Sequence, residues 1–496
     1  MAGHRVRLAS VVAVTILGLT PWPGEAATGS PSSHENVAAV GTGFGGSRSF
    51  MDIQGVAGLA TLSDGKLTRR TYVLGYRAPS SLARMRLVFV NEHFANFREA
   101  PGPNVIFVRA TVEFPVGTAK RRPTFYRVTT NRSTEWQVAP GSRVITDATS
   151  GVRVPAGREY RVRVFVRVAH RGERWPLARP AMVGDAGAPF APTRREGVYD
   201  GDLLTTNRGW VPASSSPYAP QAILAPTSAP GVAIVGDSIA HGYDSTEVGG
   251  GYYGGIVRAL EGRSGYVSLA TDSETAENFA KPSLRRLRMG SLTGVKYAVV
   301  LIGRNDLSTN KRSVAQVQGD LLAIWRGFAE RGIKVYACTI LPRTSSTDEW
   351  KTRRNQTVDA SESKRIALND WIRSGAPIDR KTLRPMAVPA PGAVKAGAAR
   401  HPLAGYFETA DTVETARNSG IWKVDGSPDR YTAGGVHPTA AGYRLMAGAI
   451  KPAVFTTPAS ASPASGGSGF VVALLVVVVA LGGAVIIRQI VRTVRV

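Results

Sequence analysis

Ser238, Asn305 and His437 lie far apart in the chain, yet their residue types together fit nucleophilic acyl chemistry. A serine hydroxyl attacks a carbonyl only when a base takes its proton, and the tetrahedral intermediate then needs donors aimed at its oxyanion. Ser238 lies in Gly236-Asp237-Ser238-Ile239, Asn305 in Gly303-Arg304-Asn305-Asp306, and His437 in Val436-His437-Pro438. The spacing thus offers a nucleophile with its own N–H, a side-chain amide donor and a late imidazole base. Neighbouring polar residues have plainer readings. His241, three residues after Ser238, is expected to line a pocket beside the hydroxyl. Arg304 is expected either to meet a carboxylate or phosphate of the substrate or to pair at the surface, and Asp237 and Asp306 to fix their turns. No His/Cys/Asp cluster has metal-ligand spacing, so neither metal nor cofactor is expected.

Such residues need rigid elements behind them. Val232–Val235, Tyr297–Ile302 and Lys334–Leu341 are short apolar runs separated by segments of helical spacing, Ser313–Glu330 and Ser363–Ile372. This alternation predicts a parallel sheet covered on both faces, with ligands at the carboxyl ends of its strands, where Ser238 and Asn305 fall.

Residues 48–200 read differently, as strands and turns forming a β-sandwich-like domain, with Met85–Val90 and Val105–Phe114 among the strands. In Arg161–Val168 valines alternate with mostly arginines. The arginine face is expected either to bind an anionic glycan or phosphate or to be an ordinary solvated face. Residues 201–229, rich in proline, read as a connection to an α/β domain at 230–453.

The termini place the chain. Arg5 and Arg7, the apolar run Leu8–Leu19 and the small residues Gly24 and Ala26 predict a signal peptide over 1–26. Residues 27–47 read as linker; their glycine run Gly41–Gly46 lacks the strand and helix that a dinucleotide site needs. After a tether at 454–468, the uncharged stretch 469–487 is long enough to span a bilayer, and Arg488, Arg492 and Arg495 follow in a basic tail at 488–496. The expectation is a single-pass type I protein of a bacterial cell envelope with its bulk outside. The single cysteine, Cys338, sits in an apolar strand and reads as a buried small hydrophobe. The net charge of +25 suits anionic envelope polymers or lipid headgroups, and export makes these, rather than nucleic acid, the available partners.

Over about residues 230–453 these motifs resemble the SGNH hydrolases of the GDSL type. The resemblance implies a flavodoxin-like sheet, Ser238 as nucleophile, Asn305 as oxyanion amide and His437 as base. It places Ser273, in Thr271-Asp272-Ser273-Glu274-Thr275, where the family has an oxyanion glycine. It also exposes a departure: the family's last block reads Asp-x-x-His, whereas this chain has Gly434-Gly435-Val436-His437. Asp429 and Asp425 are the nearest upstream acids to replace the aspartate; otherwise a backbone carbonyl orients the ring in a Ser-His dyad, or the site is impaired. The expected activity is O-acyl ester hydrolysis on an acylated glycan or lipid of the envelope. Acyl transfer by the same residues and glycan binding by a degenerate domain are the alternatives.

Overall fold

The computed structural model describes residues 62–455, except 79, 96–97, 118–121, 178–196, 207–210, 213–216, 227–230, 244–252, 262, 283–291, 293 and 428–429. The expected signal peptide, N-terminal linker, membrane span and basic tail lie outside the described residues. Among those described, no helix is long and apolar enough to cross a membrane.

The N-terminal part is antiparallel. Strand Glu159–Arg167 is central in a seven-stranded sheet, between Arg69–Arg77 and Ile106–Glu113. Its Val162, Val164 and Val166 point into a core shared with Leu87 and Phe89 from a second, three-stranded sheet. Alternation along the strand therefore places the valines as expected.

The arginine face is closed at its centre and partly exposed at its edges. Arg163 is fully buried and donates to Glu113 at 2.7 and 3.0 Å and to the Leu203 carbonyl at 3.0 Å, with its guanidinium 4.8 Å from the Phe125 ring centroid. Arg167 pairs with Glu135, Arg70 with Asp200, and Arg109 with Asp202. Arginines of the expected cationic face thus pair with nearby acids, Arg161 and Arg163 sharing Glu113, and residues 200–206 partly cover it. The physical reason is that burying a guanidinium is costly unless it is paired and hydrogen-bonded, as Arg163 is. Part of the expected connection is also structured: Ala222–Leu224 forms a buried strand against Arg86–Val90, because its apolar triplet gains more packed there than solvated.

From Gly231 onward the strands run parallel. Their spatial order is Gly265–Ser268, Gly231–Gly236, Val295–Leu301, Lys334–Cys338, Leu403–Phe407, which is 2-1-3-4-5 in chain order, the flavodoxin-like arrangement. The strands are buried on both faces and so read as continuous apolar runs. Helix Val314–Ala329 begins in a capping box between Ser313 and Gln316. Its Trp325 stacks on Trp371 of helix Glu362–Arg373 at 5.6 Å, both rings fully buried, so truncating either would cost about 3–5 kcal/mol. Cys338 is buried in the same core, and burial raises its thiol pKa.

Candidate active site

Three strand ends present the polar groups. Gly231–Gly236 stops at Gly236, where a Cβ would lie 2.1 Å from the Leu301 carbonyl oxygen, so only glycine lets the chain turn there. Asp237 caps the turn by accepting the Ile239 N–H at 2.9 Å, and Ser238 opens the short helix Ser238–His241. Asn305 follows strand Val295–Leu301 through Gly303, whose φ of 124° again suits glycine. Ser273 lies beyond strand Gly265–Ser268, exposed, at φ 63°. A left-handed turn costs a serine about 1–2 kcal/mol, so this loop keeps a glycine-like backbone without the glycine. The Asn305 amide donates to the Glu274 carbonyl at 3.0 Å, tying the two loops together. An amide carries a second N–H, the donor an oxyanion would use.

His437 closes the site from the far end of the chain. Its Nε2 lies 2.8 Å from Ser238 Oγ, within hydrogen-bond reach, and both residues are half-buried. Thr432 pairs with Pro438 across the histidine loop, and helix Ala440–Ala449 starts just beyond, capped by Thr439. The Tyr243 ring lies 4.7 Å from the imidazole, tilted by 48°, and its own carbonyl accepts the Tyr443 hydroxyl at 2.8 Å. The geometry brings a serine hydroxyl, an imidazole and an amide-bearing loop to one end of the sheet, the groups that acyl chemistry would need.

Residues 234–380 match the GDSL-like lipase/acylhydrolase family. That segment holds Ser238, Ser273 and Asn305, and the match supports a hydrolase acting on esters. Similar solved structures include a GDSL-like lipase from Bacteroides thetaiotaomicron VPI-5482, 18% identical, with 45% of this chain and 87% of that one covered at a TM-score of 0.30. A family two carbohydrate esterase from Clostridium thermocellum, in complex with cellohexaose, is 13% identical, with 82% and 97% covered at a TM-score of 0.28. No curated protein matches the chain.

Beyond the matched segment, the surroundings of His437 differ from expectation. Asp425 is exposed and accepts the Tyr431 hydroxyl at 2.7 Å, so its carboxylate is engaged on a tyrosine; Asp429 lies outside the described residues. A Cβ at Gly434 would meet nothing within 4 Å, whereas one at Gly435 would lie 1.9 Å from the Thr344 carbonyl oxygen. His241 is 2% exposed, and its Nδ1 lies 3.1 Å from Asp272 Oδ1, so the two form a buried pair. Arg304 is not a surface residue. It is 2% exposed, and none of its guanidinium nitrogens has a hydrogen-bond partner among the described residues. Burial pulls its pKa down to about 10, opposed by the charge of Asp359.

Asp306 bridges rather than closing its own turn, accepting the Ala276 and Glu277 N–H groups at 2.7 and 3.1 Å. Asp237 is pushed up to about 7 by burial, with the Ile239 N–H and the charge of His437 acting the other way. Thr432, Tyr243 and Asp272 escaped sequence reasoning, because a threonine, a tyrosine and an aspartate near turns carry no distinguishing pattern. Among the described residues no His/Cys/Asp/Glu cluster is arranged to hold a metal.

Proposed function

We propose that this protein is a serine ester hydrolase that removes O-acyl groups from an acylated glycan or glycolipid of the cell envelope. The observation that carries the reading is the 2.8 Å contact between Ser238 Oγ and His437 Nε2. As Ser238 Oγ bonds to the acyl carbonyl, His437 takes its proton. The Asn305 amide, with the N–H groups of Ser238 and Ser273, stabilises the oxyanion. Collapse breaks the ester C–O bond, and His437 returns the proton to the leaving alcohol. Water, deprotonated by His437, then attacks the acyl-enzyme; the bond to Oγ breaks, and His437 returns the proton to Ser238 Oγ as the carboxylic acid leaves. The uncharged span at 469–487, following a signal-like N-terminus, supports a substrate close to the outer face of a membrane.

Hydrolysis of p-nitrophenyl acetate by the full chain, beside Ser238→Ala, tests the reading. Loss of at least a hundredfold in kcat/KM is expected on substitution, and equal rates for the two proteins would overturn it.

A further inference from the structure

A groove of about 260 Å³ opens beside the histidine loop, lined by Trp350, Lys351, Lys423, Asp425, Arg430 and Tyr431. Its two aromatic residues are held by specific contacts. Tyr431 immediately precedes Thr432, and its hydroxyl is fixed on Asp425 at 2.7 Å. Trp350 stands on the hairpin formed by strands Thr344–Ser346 and Gln356–Val358. Its indole N–H donates to Thr344 Oγ1 at 2.8 Å, and Thr344 N–H donates to the Gly435 carbonyl at 3.0 Å, two residues before the base.

The hairpin tip is built at a cost. Glu349 and Trp350 both adopt left-handed backbones, at φ 58° and 62°, which is exceptional for a bulky aromatic residue. Asp348 organises the tip by accepting from Thr352 Oγ1 at 2.6 Å, Ser346 Oγ at 2.8 Å and Asn355 Nδ2 at 3.0 Å. These hydrogen bonds hold its carboxyl well below the usual range. Strain of this kind persists where the surroundings over-determine a conformation, and here it sets an indole at the groove wall.

Among the described residues the cations beside the groove outnumber the carboxylates. Lys351 and Arg430 share one acid, Glu349, at 3.4 and 3.2 Å, and Lys423 Nζ bonds only the neutral Thr412 carbonyl among the described residues, at 3.1 Å. Asp425 is the one acid among the six lining residues named. Among the described residues, three lining cations thus stand with one lining carboxylate, Asp425, and two aromatic surfaces, while Glu349 pairs two of the cations from outside the lining.

We propose that this groove is a subsite for an acidic sugar unit neighbouring the acylated unit of the substrate glycan. Trp350 and Tyr431 supply flat apolar surface for the ring, and Lys423 with Arg430 meets its carboxylate. The inference rests on the ester-hydrolase reading for its meaning in catalysis, but its test is one of binding. Trigalacturonate and the neutral cellotriose are titrated calorimetrically into the full chain carrying Ser238→Ala. Trigalacturonate is expected to bind, at least tenfold more tightly than cellotriose, and to weaken at least tenfold when Arg430→Glu or Lys423→Ala is added. Trp350→Phe is expected to retain part of the affinity and Trp350→Ala to lose it, with circular dichroism reporting whether the hairpin still folds.

Equal binding of the two sugars, no binding of trigalacturonate, or charge variants that bind it as tightly as Ser238→Ala would each overturn the subsite. If trigalacturonate binds as described while the unsubstituted chain fails to hydrolyse p-nitrophenyl acetate, the enzyme reading fails and the subsite stands. If p-nitrophenyl acetate is hydrolysed and trigalacturonate does not bind, the reverse holds.

Discussion

The Thr432 hydroxyl donates to the His437 carbonyl at 2.8 Å and accepts the Gly435 N–H at 2.9 Å, so one buried side chain closes the loop that carries His437. Thr432→Val keeps the shape and removes both bonds, leaving a buried N–H without its acceptor at about 1–3 kcal/mol. Since the loop sets the imbalance between a positioned and a wandering imidazole, kcat on p-nitrophenyl acetate should fall roughly 10- to 100-fold with little change in KM. Thr432→Ser restores the hydroxyl and should recover most of the rate. Failure of serine to rescue would mean that the methyl group, not the hydrogen bonds, holds the loop.

Asp237 makes stability depend on pH in a direction opposite to that of most aspartates. Burial raises its carboxyl to about 7 in the folded chain, against 3.8 for the ordinary group. Below the ordinary value both states are protonated. Between there and neutrality the unfolded chain ionises first, so the stability Asp237 contributes at low pH is lost as pH rises through the folded value. Asp237→Asn keeps an acceptor for the Ile239 N–H and cannot ionise. It should therefore match the parent near pH 4 and exceed it above pH 7, by up to roughly 4 kcal/mol. Urea denaturation of both proteins from pH 4 to 8.5 measures this, and a constant difference across the range would contradict it.

Arg304 is a buried charge with no hydrogen-bond partner among the described residues. The acids nearest in effect have other partners: Asp359 accepts from Ser361 at 2.5 and 2.9 Å, and Glu362 accepts from Arg365 at 2.5 and 2.9 Å. Removing the guanidinium therefore leaves no carboxylate stranded. Arg304→Met is expected to stabilise the fold by about 1–3 kcal/mol, because the desolvation cost disappears and the methylene packing stays. A fall in the urea midpoint would show instead that attraction to Asp359 and Glu362 outweighs burial.

What was legible in the sequence follows from what is local. Val232–Val235 and Tyr297–Ile302 read as strands because strands buried on both faces are continuous apolar runs, and both are strands of the parallel sheet. Ser238 and His437, 199 residues apart, were paired by residue type and motif, and they meet at hydrogen-bond distance. Alternation in Arg161–Val168 told which residues share a face, but not that Glu113 and residues 200–206 cover that face, since the cover comes from distant segments. The burial of Arg304 and His241 was hidden for the same reason: a polar residue in a turn has the same local signature whether it faces water or Asp272. Thr432 was invisible because its role is to join two backbone groups, which no side-chain pattern records.

Gly434 and Gly435 look equivalent in the sequence and are opposite in space. Gly435, at φ 71°, is wedged against the Thr344 carbonyl and the Trp350 ring, so any side chain there must displace backbone. Gly434 is exposed, and a Cβ on it would enter open space. Gly434→Asp should therefore fold normally while placing a carboxylate three residues before His437, where the resemblance puts the orienting acid. If the present site works as a dyad, the added carboxylate should stabilise the charged imidazole and raise kcat on p-nitrophenyl acetate, within the limit of about 10⁴ that such an acid contributes elsewhere. The acidic limb of the pH–rate profile should also move to higher pH, because a carboxylate beside an imidazole favours its protonated form. Gly434→Asn adds the same bulk without the charge and should produce neither change. A Gly434→Asp protein with the parent's kcat and profile would mean that another group already holds the ring, and would direct the search to the segment containing Asp429.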